Sequence, residues 1–268
     1  MTPDPTVTRT ILALSALLAL TAAPALAGEA KCWFENGVVV VGAEVMGVPG
    51  DYILDTATPH TLLADSQAQL AGYAETALTG EVRLAGVVAR GRPVAVQGLD
   101  LRTGAFPTPV AGVIGADILK DYVVDVSFAP CRVALRPAGH VPPFRAAASL
   151  PMGWIAERPV VTAAVADGPH AFSGAFTPAT GADTGVRLSD GLTTVKRAPK
   201  PKELYPYGVY RPRLRAFSFA GILSENLPAG LIQAEAPDLA GQIGAPILSR
   251  WRLRFDFPAG RLLLAAAP

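Results

Sequence analysis

The chain repeats itself, and that repeat constrains its fold more than any other feature. Gly112 to Leu135 reads GVIGADILKDYVVDVSFAPCRVAL, and Gly241 to Leu264 reads GQIGAPILSRWRLRFDFPAGRLLL. Aligned without a gap, 9 of these 24 positions are identical, including Gly115/Gly244, Ala116/Ala245 and Phe128/Phe257. Each copy has an apolar pair, a glycine, a short helical turn, alternating strand residues and a hairpin turn. The offset of 129 residues makes each unit domain-sized and excludes a short-period solenoid.

The two halves also begin alike. Val38 to Met46, a turn at Gly47-Val48-Pro49-Gly50 and Asp51 to Leu54 read as a β-hairpin. Pro159 to Val165, a turn at Asp167-Gly168-Pro169 and Ala171 to Phe176 form its counterpart. Four prolines (Pro137, Pro142, Pro143 and Pro151) break all periodicity between Arg136 and Trp154. The expected organisation is therefore lobe one at 28–140, a linker at 141–154 and lobe two at 155–268. With 26 Gly and 25 Pro in 268 residues, turns are too frequent for a helical bundle, and an all-β chain is expected.

The first 27 residues read as an address. Ile11 to Ala23 is an apolar run behind Arg9, and Pro24-Ala25-Leu26-Ala27 supplies small residues at a cleavage site. The run is too short to span a bilayer, which needs about 20 apolar residues. The expectation is an exported chain, periplasmic or secreted, that begins at Gly28 and has no membrane insertion after cleavage. In an oxidising compartment Cys32 and Cys131 are expected to pair, with two buried free thiols as the alternative. Lys+Arg 23 against Asp+Glu 22 leaves no basic surface for nucleic acid. Three His and two Cys provide no metal-ligand spacing, and no cofactor motif is present, so neither metal nor cofactor is expected.

Chemistry is concentrated after the first hairpin, in Tyr52-Ile53-Leu54-Asp55-Thr56-Ala57-Thr58-Pro59-His60-Thr61-Leu62-Leu63. A strand delivers one carboxylate into a turn of small residues, and an apolar pair follows seven and eight residues later. This segment resembles the hydrophobic–hydrophobic–Asp–Thr–Gly–Ala signature of retropepsin-like aspartic proteases, and Val113-Ile114-Gly115 resembles the glycine motif that cradles that loop. The resemblance covers both halves and implies an acid-protease fold of two pseudo-symmetric β-barrel lobes in one chain, acting as a monomer. It further implies Asp55 as a catalytic carboxylate, Thr56 bracing the loop against the other lobe, Thr58 within the loop, and Gly115 and Gly244 as loop supports. Ala57 departs from the glycine of the signature. In such a site two carboxylates share a proton, one ionised to activate water and the other protonated to polarise the scissile carbonyl.

For the second lobe two registers compete within Phe176 to Ser189. In one, Ala179-Thr180-Gly181-Ala182 fills the signature and the second carboxylate is missing; Val186 and Leu188 then fall where the next strand requires them. In the other, the literal Asp183-Thr184-Gly185 is the signature and Asp183 is the second catalytic residue. The distance to Gly244 favours Asp183, whereas the polar residues before it and Asp190 seven positions later favour Ala179. Two functions follow: an endopeptidase acting on peptide or protein substrates through Asp55 and Asp183, or an inactive relative whose cleft binds a peptide or protein. The hairpin at Gly80 to Leu101, with Arg90-Gly91-Arg92-Pro93 at its middle, is either a flap or a plain surface hairpin, since no Tyr marks its tip. His60 is read as an exposed loop residue, with tuning of Asp55 as the alternative. Lys196 to Arg215, with seven basic residues and one acid, reads as a solvated loop or an arm over the cleft.

Overall fold

A computed structural model describes residues 28–104, 106–196, 198 and 211–267. The expected leader at 1–27 and most of the basic stretch at 196–215 lie outside them. The first half comprises β1 (Gly28–Glu35), β2 (Val38–Val45), β3 (Val48–Leu54), β4 (Thr61–Ala64), helix α1 (Asp65–Leu70), β5 (Ala77–Leu84) and β6 (Val87–Gln97). It continues through α2 (Asp100–Thr103), β7 (Val110–Ile114), α3 (Ala116–Leu119), β8 (Val123–Phe128) and β9 (Cys131–Arg136). The second half runs β10 (Ala148–Pro151), β11 (Gly153–Ile155), β12 (Arg158–Asp167), β13 (His170–Ala179) and β14 (Val186–Ser189), then a 3-10 turn at Asp190–Thr194. It ends with β15 (Arg211–Phe219), β16 (Ile222–Ile232), β17 (Leu239–Gly244), α4 (Ala245–Leu248), β18 (Trp251–Asp256) and β19 (Arg261–Ala266).

The strands close into two barrels of the same topology. Lobe one follows the order β2-β3-β7-β4-β6-β5, and β5 pairs back to β2. Lobe two follows β12-β13-β17-β14-β16-β15, and β15 pairs back to β12. Closure leaves neither barrel with an open edge. The chain is therefore all-β and two-lobed, as the repeat implies. The remaining strands, in the order β10-β19-β18-β8-β9-β1, form a six-stranded sheet shared by the lobes.

Local sequence explains the hairpins. Val38 to Val41 and Val45 are β-branched and buried, which suits a barrel wall. The first turn is tighter than the sequence implied: Met46 and Gly47 alone make it, both with positive φ (56° and 77°), while Val48, Pro49 and Gly50 join β3. Two residues at positive φ give the primed turn whose twist matches the strands. The tip of the β5–β6 hairpin is Ala85-Gly86, not Arg90 to Pro93. That tip packs against Gly28, where an added Cβ would fall 1.5 Å from the Ala85 carbonyl oxygen, so the hairpin is held away from the role of a flap. The segment 141–154 contains β10, which pairs with β19 at the sheet edge, the one place a strand tolerates Pro151.

Two cross-links tie this frame together. Cys32 of β1 and Cys131 of β9 form a disulfide. At the centre of the shared sheet β8 pairs with β18, setting Asp125 opposite Arg254. These residues are 129 positions apart, so each is the other's counterpart in the repeat. Arg254 donates through Nε to Asp125 Oδ1 at 2.6 Å and through Nη2 to Oδ2 at 2.8 Å. Arg136 Nη1 adds a third bond to Oδ2 at 2.9 Å. Arg254 is buried, donates to the Pro142 carbonyl and lies over the Phe144 ring. Among the described residues, no helix is long and apolar enough to cross a membrane.

Candidate active site

In each lobe a strand ends by delivering a short loop between the barrels. β3 runs parallel to β7, with Leu54 beside Ile114, and the Asp55 amide donates to the Ile114 carbonyl. β13 runs parallel to β17, with Pro178 beside Ile243 and Ala179 beside Gly244. The loops then repeat bond for bond. The Thr58 amide donates to Asp55 O, and the Ala182 amide to Ala179 O. The Ala116 amide donates to Thr58 O, and the Ala245 amide to Ala182 O. Ala179 is thus the counterpart of Asp55, Thr180 of Thr56, Gly181 of Ala57, and Ala182 of Thr58.

Gly115 and Gly244 sit under these loops and have no room for a side chain. An added Cβ would lie 2.6 Å from the His60 carbonyl carbon at Gly115, and 1.8 Å from the Thr184 oxygen at Gly244. The two loops grip each other through their threonines. Thr56 Oγ1 donates to the Pro178 carbonyl, and Thr180 Oγ1 donates to the Leu54 carbonyl at 2.6 Å. The Thr56 amide donates to Thr180 Oγ1 at 3.2 Å, and the Thr180 amide to Thr56 Oγ1 at 3.3 Å. Both threonines are fully buried.

Asp183 lies elsewhere. It follows the loop by one residue, is about half exposed, and its carboxylate is taken by Arg187 and by Thr184 Oγ1. The structure does not bring it to the position opposite Asp55, because β13 ends at Ala179 and the turn is complete before Asp183 begins. A methyl occupies that position: Ala179 is fully buried against Ala57 and Ala182. The symmetry joins this to the other departure from the signature. At Gly181 a Cβ would stand 2.6 Å from Asp55 Cβ and 2.7 Å from its Cγ. The Ala57 methyl therefore approaches residue 179 in the same way. Alanine at 57 and a carboxylate at 179 compete for one space, so the two substitutions are a single feature.

Asp55 is buried and saturated. Its Oδ1 accepts from the Ala57 amide at 2.9 Å and the Gly181 amide at 3.3 Å. Its Oδ2 accepts from Thr58 Oγ1 at 2.7 Å and from Arg102 Nη2. Arg102, on α2, also donates to the Gly181 carbonyl at 3.2 Å and to Thr58 Oγ1 at 3.4 Å, so it spans both loops. Burial pushes the Asp55 carboxyl up, but the Arg102 charge and the hydrogen bonds from Ala57, Thr58 and Arg102 together hold it below the usual carboxylate range.

The loops floor a cavity of about 610 Å³. Into it face Asp55 and Arg102, and also His60, Arg158, Asp183, Arg187 and Glu235, with Asp183 on its wall and not in the loop. His60 is half exposed and lies 3.3 Å from Glu157. Glu235 stands in the connection between β16 and β17, the counterpart of the one that carries Arg102. Its Oε2 is 3.0 Å from Arg158 Nε. Burial raises its proton affinity, Arg158 lowers it and Asp55 raises it further; the net direction is up. Arg102, Arg158 and Glu235 carry no sequence signal, because each lies outside every motif and reaches the cleft only through barrel closure. Among the described residues, no three His, Cys, Asp or Glu side chains are grouped to hold a metal.

The Asp55–Arg102 pair makes stability pH-dependent. A carboxyl whose folded pKa is lowered adds stability above its ordinary pKa near 4, and that stability is lost as pH falls through the folded value. Asp55→Asn is expected to cost about 2–4 kcal/mol at neutral pH, by stranding Arg102. Melting curves from neutral to strongly acid pH should show wild type and variant converging at the acid end; a constant gap would refute the linkage.

No family model matches the sequence, and no curated protein does. Among solved structures, the chain is similar to the aspartic proteinase from Irpex lacteus, with a TM-score of 0.53 and 13% identity over 90% of this chain and 97% of that one. The likeness is one of fold. It extends through both lobes.

Proposed function

We propose that this chain is an exported, monomeric, retropepsin-like protein whose inter-lobe cleft binds an extended peptide or protein segment without hydrolysing it by a shared-proton dyad. The observation that carries this reading is Ala179 at the counterpart of Asp55, with Arg102 closed onto the one carboxylate that remains. A dyad needs a second carboxyl to hold the shared proton, and an unengaged oxygen to activate water. Here a methyl replaces the first, and Arg102 and Thr58 engage the second. Both lobes in one chain complete the cleft, so a second copy is not required. The disulfide supports export, since such bonds persist in oxidising compartments.

Endopeptidase activity is the second reading, and Glu235 favours it. This carboxyl faces the same cavity, binds its proton more tightly than usual and feels the charge of Asp55. Paired with Asp55 it would be a general acid beside an ionised base.

One experiment separates the two. Protein beginning at Gly28 is incubated with unfolded casein from about pH 3 to 7, and with immobilised casein peptides, alongside Asp55→Asn and Glu235→Gln. The binding reading expects captured peptides and no new termini at any pH. Cleavage abolished by both variants would replace it with the endopeptidase reading.

A further inference from the structure

The two walls of the cleft are built from matching positions and have opposite chemistry. Val38 and Arg158 each open a barrel strand directly after a two-residue turn, where Glu35 pairs with Val38 and Ile155 with Arg158. Leu62 pairs with Val113 across β4 and β7, and Arg187 pairs with Gln242 across β14 and β17. Ile53 and Thr177 each stand two residues before the loop positions Asp55 and Ala179. On lobe one, these positions form an apolar cluster of Val38, Ile53, Leu62 and Val113. On lobe two, they are Arg158, Thr177, Arg187 and Gln242.

The lobe-two wall has more hydrogen-bond donors than acceptors. A guanidinium carries five N–H groups. Arg187 donates one, to Asp183. Arg158 donates one to the Ala156 carbonyl at 3.0 Å, while its buried Nε approaches Glu235 without forming an aligned hydrogen bond. Each guanidinium meets one carboxylate of the same cavity, Asp183 at Arg187 and Glu235 at Arg158, and, the Ala156 carbonyl apart, its remaining N–H groups have no acceptor among the described residues. A group rich in acceptors and bearing negative charge completes this wall, and a planar carboxylate matches the guanidinium fork.

We propose that the lobe-two wall, through Arg158 and Arg187, receives a carboxylate of the bound peptide, while Val38, Ile53 and Leu62 of lobe one receive an apolar side chain. This rests on the peptide-binding reading of the cleft. The selected ligand is an acidic peptide with an apolar anchor, and the carboxylate comes either from a Glu or Asp side chain or from the peptide's own C-terminus.

Fluorescence anisotropy with synthetic peptides tests it. N-acetylated nonapeptides carry one Leu and, at each possible distance from it, either Glu or Gln; each is made with an amidated and with a free C-terminus. A charge-assisted hydrogen bond is worth about tenfold in affinity. At one spacing, Glu peptides are expected to bind at least about tenfold more tightly than their Gln twins; if the terminus is the source, the free form gains instead. Arg187→Leu and Arg158→Gln should abolish that preference, with Arg187→Lys keeping part of it. Neutral peptides that bind as well as acidic ones, or a preference that survives both variants, would overturn this proposal and leave the binding reading standing. If no peptide binds, both fall.

Discussion

A chain carrying Ala57→Gly, Ala179→Asp and Arg102→Leu together is expected to cleave unfolded protein in mildly acid solution. Each change removes one obstacle. Ala179→Asp supplies the missing carboxyl at the end of β13. Ala57→Gly clears the methyl that faces it, since the mirror site tolerates only Gly181 beside Asp55. The two loop amides that hold Asp55 Oδ1 exchange under the symmetry of the loops, so the new carboxyl would share them with Asp55. Arg102→Leu frees Asp55 Oδ2 and lets one proton be shared. Ala179→Asp alone should only destabilise, because it crowds Ala57 and buries a second charge beside Asp55. Appearance of acid-dependent cleavage, lost again on adding Asp55→Asn, is the measurement. A triple variant that folds, by its melting curve, and stays inert would show that the loops lack dyad geometry for another reason.

The other large effect is structural. Asp125→Ala removes the acceptor of three guanidinium bonds at the centre of the shared sheet and leaves Arg254 buried without its counterion. Stranding one half of a buried pair costs about 3–5 kcal/mol, which in a domain of this size is a fall in melting temperature of roughly 10 °C. Asp125→Leu with Arg254→Met, which removes both charges, should recover much of it. Thermal or urea unfolding decides: an Asp125→Ala protein within about 2 °C of wild type would mean that Arg254 finds other acceptors.

How much of this was legible in the sequence follows from what each feature depends on. The repeat and the hairpins are properties of neighbouring residues, and Gly112 to Leu135 against Gly241 to Leu264 was enough to imply two like lobes. The disulfide followed from the leader and the count of cysteines. The second loop was harder, because Asp183-Thr184-Gly185 copies the letters of the signature while Ala179-Thr180-Gly181 occupies its position. Only the pairing of Ala179 with Gly244 distinguishes them, and pairing is not local. Arg102 was invisible for the same reason. It lies 47 residues after the carboxylate it neutralises, on a four-residue helix with no motif around it. The flap expectation failed at the turn: the β5–β6 hairpin reverses at Ala85-Gly86, not at Arg90 to Pro93, and that tip packs against Gly28.

The unlike walls of the cleft also bear on orientation. Two lobes related by an unbroken two-fold axis present the same sequence of contacts to a strand entering from either side, so such a groove cannot distinguish head from tail. Leu62 facing Arg187 across matched positions removes that ambivalence. A strand and the same residues strung in reverse order become different ligands for this groove, and only one of them can place its apolar and acidic residues on the correct sides at once.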